Sequence, residues 1–283
     1  MTIICSRRSL LRLTSLIFPI GTTGLPINLL GFSSENEEGL GLPVSDIFPT
    51  QPPELVRELV TVAHFDRKRL EELIEARPSL ARAAWDWGFG DWETALGAAS
   101  HMGNRPIAEY LISKGARPSL FSAAMLGQLE VLKAFVAAQP HVQRIRGPHN
   151  ISLLAHAKAG GEAARPVFEF LQSLGDVDAE SPAPLTDNEI ATLAGTYVFG
   201  LGVNQQIDLT VEPRQRASPM YSPLTWTRKG MIGRPLVHLG DRVFYPAGAP
   251  TVRIRFGEDK GSVVMTVSDP QLVLTARRRQ EPK

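Results

Sequence analysis

The amino-acid sequence predicts an α + β fold in separate domains, with a short helical solenoid followed by a small antiparallel β-barrel or sandwich. Residues 53–175 carry apolar side chains at helical spacing in recurring units. Residues 176–187 are rich in Pro, Asp and Ala, which is typical of a linker. Residues 188–279 contain short β-rich runs separated by Gly, Pro and Asp, which is typical of an antiparallel sheet. At 283 residues, the chain is long enough for two modest domains.

The clearest helical unit reads TALGAASHMGNRPIAEYLISKGARPS, residues 94–119. The Thr, Leu, Ala, Gly and Pro residues of this unit fall at the positions that they occupy in the pattern T-P-L-H-x-A-A-x-x-G, which later continues with L-L-x-x-G-A-x-P. This is the pattern of ankyrin repeats, so the unit resembles an ankyrin repeat. A second copy follows, in which Gly127 comes 24 residues after Gly103 rather than about 33. A looser copy reads LLAHAKAGGEAARPVFEFLQSLG, and a first helix pair precedes the clear unit. The resemblance implies about four ankyrin-like helix pairs over residues 53–175.

Each unit also carries an apolar stripe that a single helix cannot bury. Leu70, Leu73 and Ile74 form one stripe, and Ile107 with Leu111 forms another. Stacked neighbours bury such stripes against each other, and three or more units suffice. The apolar pattern and the ankyrin resemblance therefore predict the same solenoid.

The tryptophan-rich segment RAAWDWGFGDW lies between the first helix pair and the next, where ankyrin repeats project a β-hairpin finger. Fingers and the neighbouring inner helices form a concave surface for partners, and aromatic residues are enriched in binding hot spots. We therefore expect partner-binding residues at Trp85, Trp87, Phe89, Asp91 and Trp92. An alternative is that the tryptophans cap the open end of the stack. Burial is favoured for Trp85 and Trp92, and partner contact for Trp87.

The C-terminal part begins with a T-x-x-E capping box, Thr186 and Glu189, before a short helix. Seven predicted strands follow: TYVFG, QIDLTVE, PLVHLG, RVFYPAG, TVRIRFG, SVVMTVS and QLVLTAR. The segments LTDNEIATLAGTYVF, GDRVFYPAGAPTVRIRF and VVMTVSDPQLVLTARR resemble the small β-domain at the C-terminus of many bacterial β-lactamase-like serine hydrolases. The resemblance implies an accessory module of a bacterial, often exported protein, and it transfers no catalytic residue.

The N-terminus has the order of an export signal. The segment SRRSLLR resembles the twin-arginine consensus S-R-R-x-F-L-K, and an apolar stretch and then acidic residues follow. Pro19, Gly21 and Pro26 divide the apolar stretch into pieces too short for a good spanning helix. We therefore expect a signal at residues 1–33, a flexible leader at 34–52, and a periplasmic or secreted protein. The alternative is a membrane anchor formed by an uncleaved signal.

Local catalytic and metal-binding motifs are missing from the sequence. It contains no S-x-x-K, G-x-S-x-G, H-E-x-x-H or phosphate-binding glycine loop, and its one cysteine, Cys5, lies in the predicted signal. The histidines are interpreted as surface or capping residues, although three recur near the ends of first helices: His64, His101 and His156. His141 and His149 share a connecting segment, and loop histidines can ligate metal, but a loosely paired histidine is more often a surface or capping residue. The same interpretation covers His238. No catalytic residue, metal ligand or cofactor is predicted.

The acidic residues of the hairpin, Asp86, Asp91 and Glu93, were also considered as a carboxylate pair for glycoside cleavage. A solvated acidic hairpin is the simpler interpretation, because flexible loops hold catalytic pairs poorly.

These observations favour a non-catalytic binding or scaffold protein of the bacterial cell envelope, which holds a protein partner on its concave face and tryptophan-rich finger. The alternative is an enzyme accessory subunit or a small-ligand-binding protein that acts through the barrel mouth. A formal net charge of +1 gives no support to nucleic-acid binding. Membrane contact is expected only through the signal segment.

Replacing both Arg7 and Arg8 with Lys is expected to leave the protein in the cytoplasm, because the arginine pair identifies the twin-arginine signal. Cell fractionation and immunoblotting of the double variant measure this. Arg12→Lys, which restores the consensus residue, is the control and should be exported normally. Unchanged export of the double variant, or export by the general secretory route, would contradict the signal assignment.

Overall fold

The computed structural model describes residues 46–175, 177, 182–200, 207–215, 218, 220–228, 231–270 and 272–279. The chain divides into two units, Met1–Val44 and Ser45–Lys283, and all described residues belong to the second. The predicted signal, most of the leader and part of the linker lie outside the described residues. Among those that are described, no helix is long and apolar enough to cross a membrane.

The N-terminal part of the described chain contains four consecutive helix pairs, as predicted. They are α1 (Pro53–Val62) with α2 (Arg67–Ala76), α3 (Ala95–His101) with α4 (Arg105–Ser113), α5 (Leu120–Met125) with α6 (Leu129–Ala138), and α7 (Leu153–Ala159) with α8 (Arg165–Ser173).

Polar side chains fix where these helices begin. Asp66, Thr94 and Asn104 each accept a hydrogen bond from a backbone N–H in the first turn of the helix that follows. The predicted apolar stripes are buried: Leu70 and Ile107, for example, have no exposed surface. The first helices of the pairs, α1, α3, α5 and α7, pack side by side. Residues at equivalent places in different pairs therefore become neighbours.

The segment between α2 and α3 forms a β-hairpin, as predicted. Its strands β1 (Ala84–Asp86) and β2 (Trp92–Thr94) are antiparallel. Gly88, Phe89 and Gly90 form the tip with φ of 117°, 56° and 78°, a left-handed path that favours glycine. The Asp86 carboxylate accepts hydrogen bonds from the backbone N–H groups of Gly88 and Gly90, at 2.8 and 3.2 Å. The hairpin tip is therefore a defined turn.

The C-terminal part is a closed antiparallel barrel, one of the two architectures expected. Its eight strands in the described residues are β3 (Gly195–Phe199), β4 (Ile207–Pro213), β5 (Leu224–Arg228), β6 (Arg234–Gly240), β7 (Val243–Pro246), β8 (Arg253–Asp259), β9 (Ser262–Asp269) and β10 (Leu272–Arg278). Each strand pairs with its neighbour in sequence, and β10 closes the barrel against β3. The strand β5 was not predicted, because its only apolar residues before Arg228 are Leu224 and Trp226.

The two ends of the barrel are covered differently. The helix α9 (Asp187–Leu193) starts at the predicted capping box and covers one end, where the Tyr197 hydroxyl donates to the Leu193 carbonyl at 2.8 Å. At the opposite end the hairpin tip packs against the barrel core, and the Phe89 ring stacks on Trp226 with centroids 6.0 Å apart.

Further hydrogen bonds join the helical part to the barrel. The Tyr221 hydroxyl donates to the His149 carbonyl at 2.7 Å, and the Asn150 amide donates to the Tyr245 hydroxyl at 3.4 Å. The two parts are distinct in architecture, but the hairpin and the turn before α7 connect them.

Cleavage at a protease site inserted within residues 176–187 is expected to leave the two fragments associated, because the contacts of Phe89 and Tyr221 do not depend on that connection. Gel filtration of the cleaved protein, with the uncleaved protein as control, measures this. Elution as two separate fragments would show that these contacts do not hold the parts together.

Candidate metal centre

The hairpin strand β2 places a carboxylate in the protein interior. Successive side chains of a strand point to opposite faces, so Trp92 is 61% exposed whereas Glu93 is completely buried. A buried carboxylate is unfavourable unless polar groups compensate its charge. Imidazole rings and an indole N–H supply that compensation.

Three histidines converge on Glu93. The Nε2 atoms of His64, His101 and His149 and a carboxylate oxygen of Glu93 all lie within 4.8 Å of one another. We call these four residues the histidine–glutamate cluster. His101 Nε2 lies 2.9 Å from Glu93 Oε1, and His149 Nε2 lies 3.4 Å from Oε2. His64 Nε2 lies 3.6 Å from Oε2 and 3.2 Å from His101 Nε2.

These separations match those of atoms that share one metal ion. With metal–ligand distances of about 2.0 to 2.1 Å, adjacent ligand atoms are about 2.9 Å apart in octahedral and about 3.3 Å apart in tetrahedral geometry. Four separations within the histidine–glutamate cluster, measured to both oxygens of Glu93, are 2.9, 3.2, 3.4 and 3.6 Å, which is close to this range. The donor atoms therefore converge on one small region, within 4.8 Å of one another.

Hydrogen bonds fix the tautomers that metal binding requires. His64 Nδ1 lies 3.0 Å from the carbonyl oxygens of both Val60 and Thr61, which can only accept, so this nitrogen carries the proton. His149 Nδ1 lies 2.9 Å from a carboxylate oxygen of Asp91 and is protonated for the same reason. His64 therefore presents the lone pair of Nε2 to the cluster. His149, whose pKa of about 9 keeps both nitrogens protonated at neutral pH, would present its Nε2 once a metal ion displaces that proton, as in carboxylate–histidine–metal arrangements.

The two oxygens of Glu93 have different surroundings. Oε2 accepts a hydrogen bond from the Trp87 indole Nε1 at 2.8 Å. Oε1 is buried and accepts no hydrogen bond from any described residue, although His101 Nε2 is close. Buried oxygens in native proteins nearly always have a partner, and a bound ion is one explanation for an exception. Oε1 of Glu93, which faces His101 Nε2 at 2.9 Å, is thus placed to share a metal ion with that nitrogen.

Asp91 holds the hairpin and His149 in place. It is 3% exposed, and it accepts hydrogen bonds from the backbone N–H of His149 at 3.0 Å and from Arg234 Nη2 at 2.9 Å. Arg234 also donates to the carbonyl oxygens of Gly88, at 2.6 Å, and Ala247. Asp91 and Arg234 therefore fix the relative positions of the hairpin, the His149 turn and the barrel.

Gly248, in the turn after β7, allows this approach. Its φ is +83°, and a Cβ at this position would overlap the Asp91 carboxylate. The barrel therefore supports the cluster through a position that requires glycine.

The pKa values of Glu93 and His149 show that neighbouring groups compensate their buried charges. Burial alone would raise the pKa of Glu93, but the neighbouring imidazoles of His101 and His149 hold it well below its usual range. Burial alone would lower the pKa of His149, but hydrogen bonds to Asp91 and Glu93 raise it to about 9. Burial lowers the pKa of His64 and lowers that of His156 to about 4. Glu93 is therefore ionised at neutral pH, as a metal ligand must be.

His156, on α7, packs against the ring of His101 in the cluster. It has no exposed surface, its Nδ1 lies 2.8 Å from the Ser152 carbonyl oxygen, and its ring meets that of His101 edge-on with centroids 6.3 Å apart. Its buried Nε2 has no hydrogen-bond partner among the described residues.

A cavity of about 500 Å³, here called the inner pocket, opens beside the cluster. Its wall includes His64 and His149 together with Trp85, Trp87 and Tyr221. A smaller cavity of about 270 Å³ lies at the barrel mouth and is lined mainly by apolar residues. It shares four lining residues with the inner pocket: Trp87, Met231, Ile232 and Arg234. Small-molecule sites are usually concave, mostly apolar and furnished with a few polar groups, as the inner pocket is.

The structure changes the roles of the predicted partner-binding residues. Trp85 is half-buried against the helical core, in agreement with the burial favoured for it. Trp92 is exposed, so the expectation that it is buried is wrong, because strand alternation directs Glu93 inward instead. Trp87 does not face an open surface: it packs on the helical core and donates to Glu93. Phe89 contacts the barrel core, and Asp91 is too buried to reach a partner.

The interpretation of the acidic hairpin and the histidines also needs correction. Asp91 and Glu93 are buried, so they do not belong to a solvated acidic hairpin. His64 does cap α1, but its other nitrogen faces Glu93. The usable signal was the recurrence of histidine near the ends of α1 and α3, because the side-by-side packing of the first helices makes such positions neighbours. His149 was marked only as a loop histidine paired with His141, which is not part of the cluster.

Trp87→Phe is expected to lower the free energy of unfolding by about 1 to 3 kcal/mol, because it keeps the ring but removes a hydrogen bond to a buried carboxylate. Trp92→Ala, at an exposed position, should lower it by less than about 1 kcal/mol. Chemical denaturation of both single variants measures the difference. A larger loss for Trp92→Ala would contradict the assigned roles.

A scan of known protein-family models finds no match for this chain, and a search of curated proteins finds none either. Function therefore has to be inferred from the chemistry of the site.

Proposed function

We propose that the protein is a metal-dependent enzyme that binds a divalent transition-metal ion through the histidine–glutamate cluster and acts on a small molecule in the inner pocket. The observation that supports this most directly is the convergence of three imidazole nitrogens and one buried carboxylate within 4.8 Å at the wall of a cavity.

The donor set selects the class of metal. Imidazole nitrogen suits Zn²⁺, Cu²⁺, Fe²⁺ and Ni²⁺, whereas Mg²⁺ and Ca²⁺ prefer oxygen ligands. Thiolate ligands, which favour Cu(I), are not part of the cluster. A first-row divalent ion bound by three nitrogens and one carboxylate is therefore the best match.

The position of the cluster favours catalysis over a purely structural role. The side chains of His64 and His149 are 20% and 27% exposed and line the inner pocket. A metal with four protein ligands can accept a fifth or sixth ligand from the pocket side. Such an ion can polarise a carbonyl group or activate a water molecule.

This proposal departs from the non-catalytic scaffold expected from the sequence. That expectation depended on an exposed tryptophan finger, but Trp87 and Asp91 serve the cluster rather than an open surface. We also propose that the helix pairs are an ankyrin-like solenoid. The repeat register at residues 94–119, the hairpin before α3 and the side-by-side first helices support this view.

The purified chain is expected to bind a single first-row divalent ion per molecule, and removal of the ion by a chelator should lower its melting temperature, because binding stabilises the folded state. Elemental analysis and calorimetric titration of the chelated protein with Zn²⁺, Ni²⁺, Cu²⁺ and Fe²⁺ measure this. His101→Ala and Glu93→Gln should abolish the site, and Asp91→Asn should weaken it about 10- to 100-fold by releasing His149.

His141→Asn provides a matched control. His141 is an exposed histidine outside the cluster with a φ of 70°, which asparagine tolerates. The control should bind metal as tightly as the natural chain. Equal metal binding by the control and by His101→Ala, or no binding by the natural chain, would contradict the proposal.

A further inference from the structure

We infer that the inner pocket takes a small organic carboxylate with an apolar body, and that the carboxylate docks at the metal ion. This inference rests on the proposed function and adds the class of ligand to it.

The charges around the pocket favour an anion. A divalent ion, the Glu93 carboxylate and three neutral imidazoles have a net charge of +1. The charge of Arg234 at the pocket wall is balanced by Asp91 at 2.9 Å. No Asp or Glu is among the described lining residues of the inner pocket. A ligand with one negative group therefore complements the site.

The rest of the pocket favours an apolar body. Phe65, Met102, Met231 and Ile232 all line it, and each is between 49% and 70% exposed to solvent. Grouped apolar side chains at the mouth of a cavity are typical of a ligand site, because covering them removes apolar surface from water. These residues come from both the helical part and the barrel.

The size of the pocket favours a small molecule as the ligand. A volume of about 500 Å³ lies within the range of sites that bury most of a small ligand. The tryptophan side chains Trp85 and Trp87 form part of the wall and provide an intrinsic fluorescence signal for its occupancy.

The test uses the metal-loaded full chain and straight-chain carboxylates from butanoate to decanoate, with alkylammonium ions of the same lengths for comparison. Calorimetry and tryptophan fluorescence measure binding. The dissociation constant of the carboxylates should fall about threefold to fourfold per methylene until the pocket is filled. Alkylammonium ions should bind at least about tenfold more weakly, because they carry the wrong charge.

Two variants test whether decanoate binds in the inner pocket. Phe65→Ala should weaken decanoate binding about tenfold, because it removes apolar surface at the pocket mouth. Trp92→Ala removes a similarly exposed aromatic ring that does not line the pocket, and it should bind decanoate like the natural chain. Equal effects of the two variants would overturn the assignment of the pocket.

The metal content of every sample separates this inference from the proposed function. A metal-loaded chain that binds carboxylates no better than alkylammonium ions overturns the inference and leaves the metal site intact. Equal carboxylate affinity of the loaded and chelated chains also overturns it, since the anion would then not dock at the metal. A chain that binds no metal contradicts the proposed function itself.

Discussion

The buried charge of Glu93 is the constraint on which the arrangement of the site depends. An ionised carboxylate without solvent contact is strongly unfavourable unless hydrogen bonds or opposite charges compensate it. Here the compensation comes from Trp87 on the same hairpin and from three imidazoles on separate segments of the helical part. Because these groups are far apart in sequence, only the assembled helix pairs can keep Glu93 buried. The site and the packing of the helices therefore stabilise each other.

The hairpin that carries Glu93 is held at both ends. At its base, Thr94 begins α3, and its side chain accepts a hydrogen bond from the Gly97 N–H. At its tip, Phe89 packs on the barrel core and Arg234 donates to the Gly88 carbonyl. A short hairpin in water is marginally stable on its own. These anchors convert it into a support rigid enough to position metal ligands, which a free loop would not be.

Sequence patterns predicted the elements better than their contacts. The four helix pairs and the capping box at Thr186 follow from local signals, namely periodic apolar residues and caps. The hairpin was expected from the resemblance to ankyrin repeats. The strand β5 was missed because only Leu224 and Trp226 mark it. Local signals also placed Trp92 inside and Glu93 outside, since an aromatic residue is ordinarily the better candidate for burial.

The candidate metal centre could not be found from spacing alone. Motif rules recognise ligands that are close in sequence, such as two histidines on one helical turn. In this chain α2, the hairpin and two helix pairs separate His64 from His149. The two residues meet because the first helices stack and because Asp91 on the hairpin holds His149. Equivalent positions in successive repeats are neighbours in such a stack, so a polar residue that recurs there is a candidate for a shared site.

The helical part supplies the cluster, but it does not enclose the pocket by itself. Tyr221, Arg234 and Ala247 form wall segments that belong to the C-terminal part, and Arg234 also fixes Asp91 and hence His149. Any movement of the barrel relative to the helices would change both the pocket wall and the position of a metal ligand. The closed barrel therefore contributes to the site as a rigid support, which gives a physical reason for a β-domain beside a helical stack that carries the donor atoms.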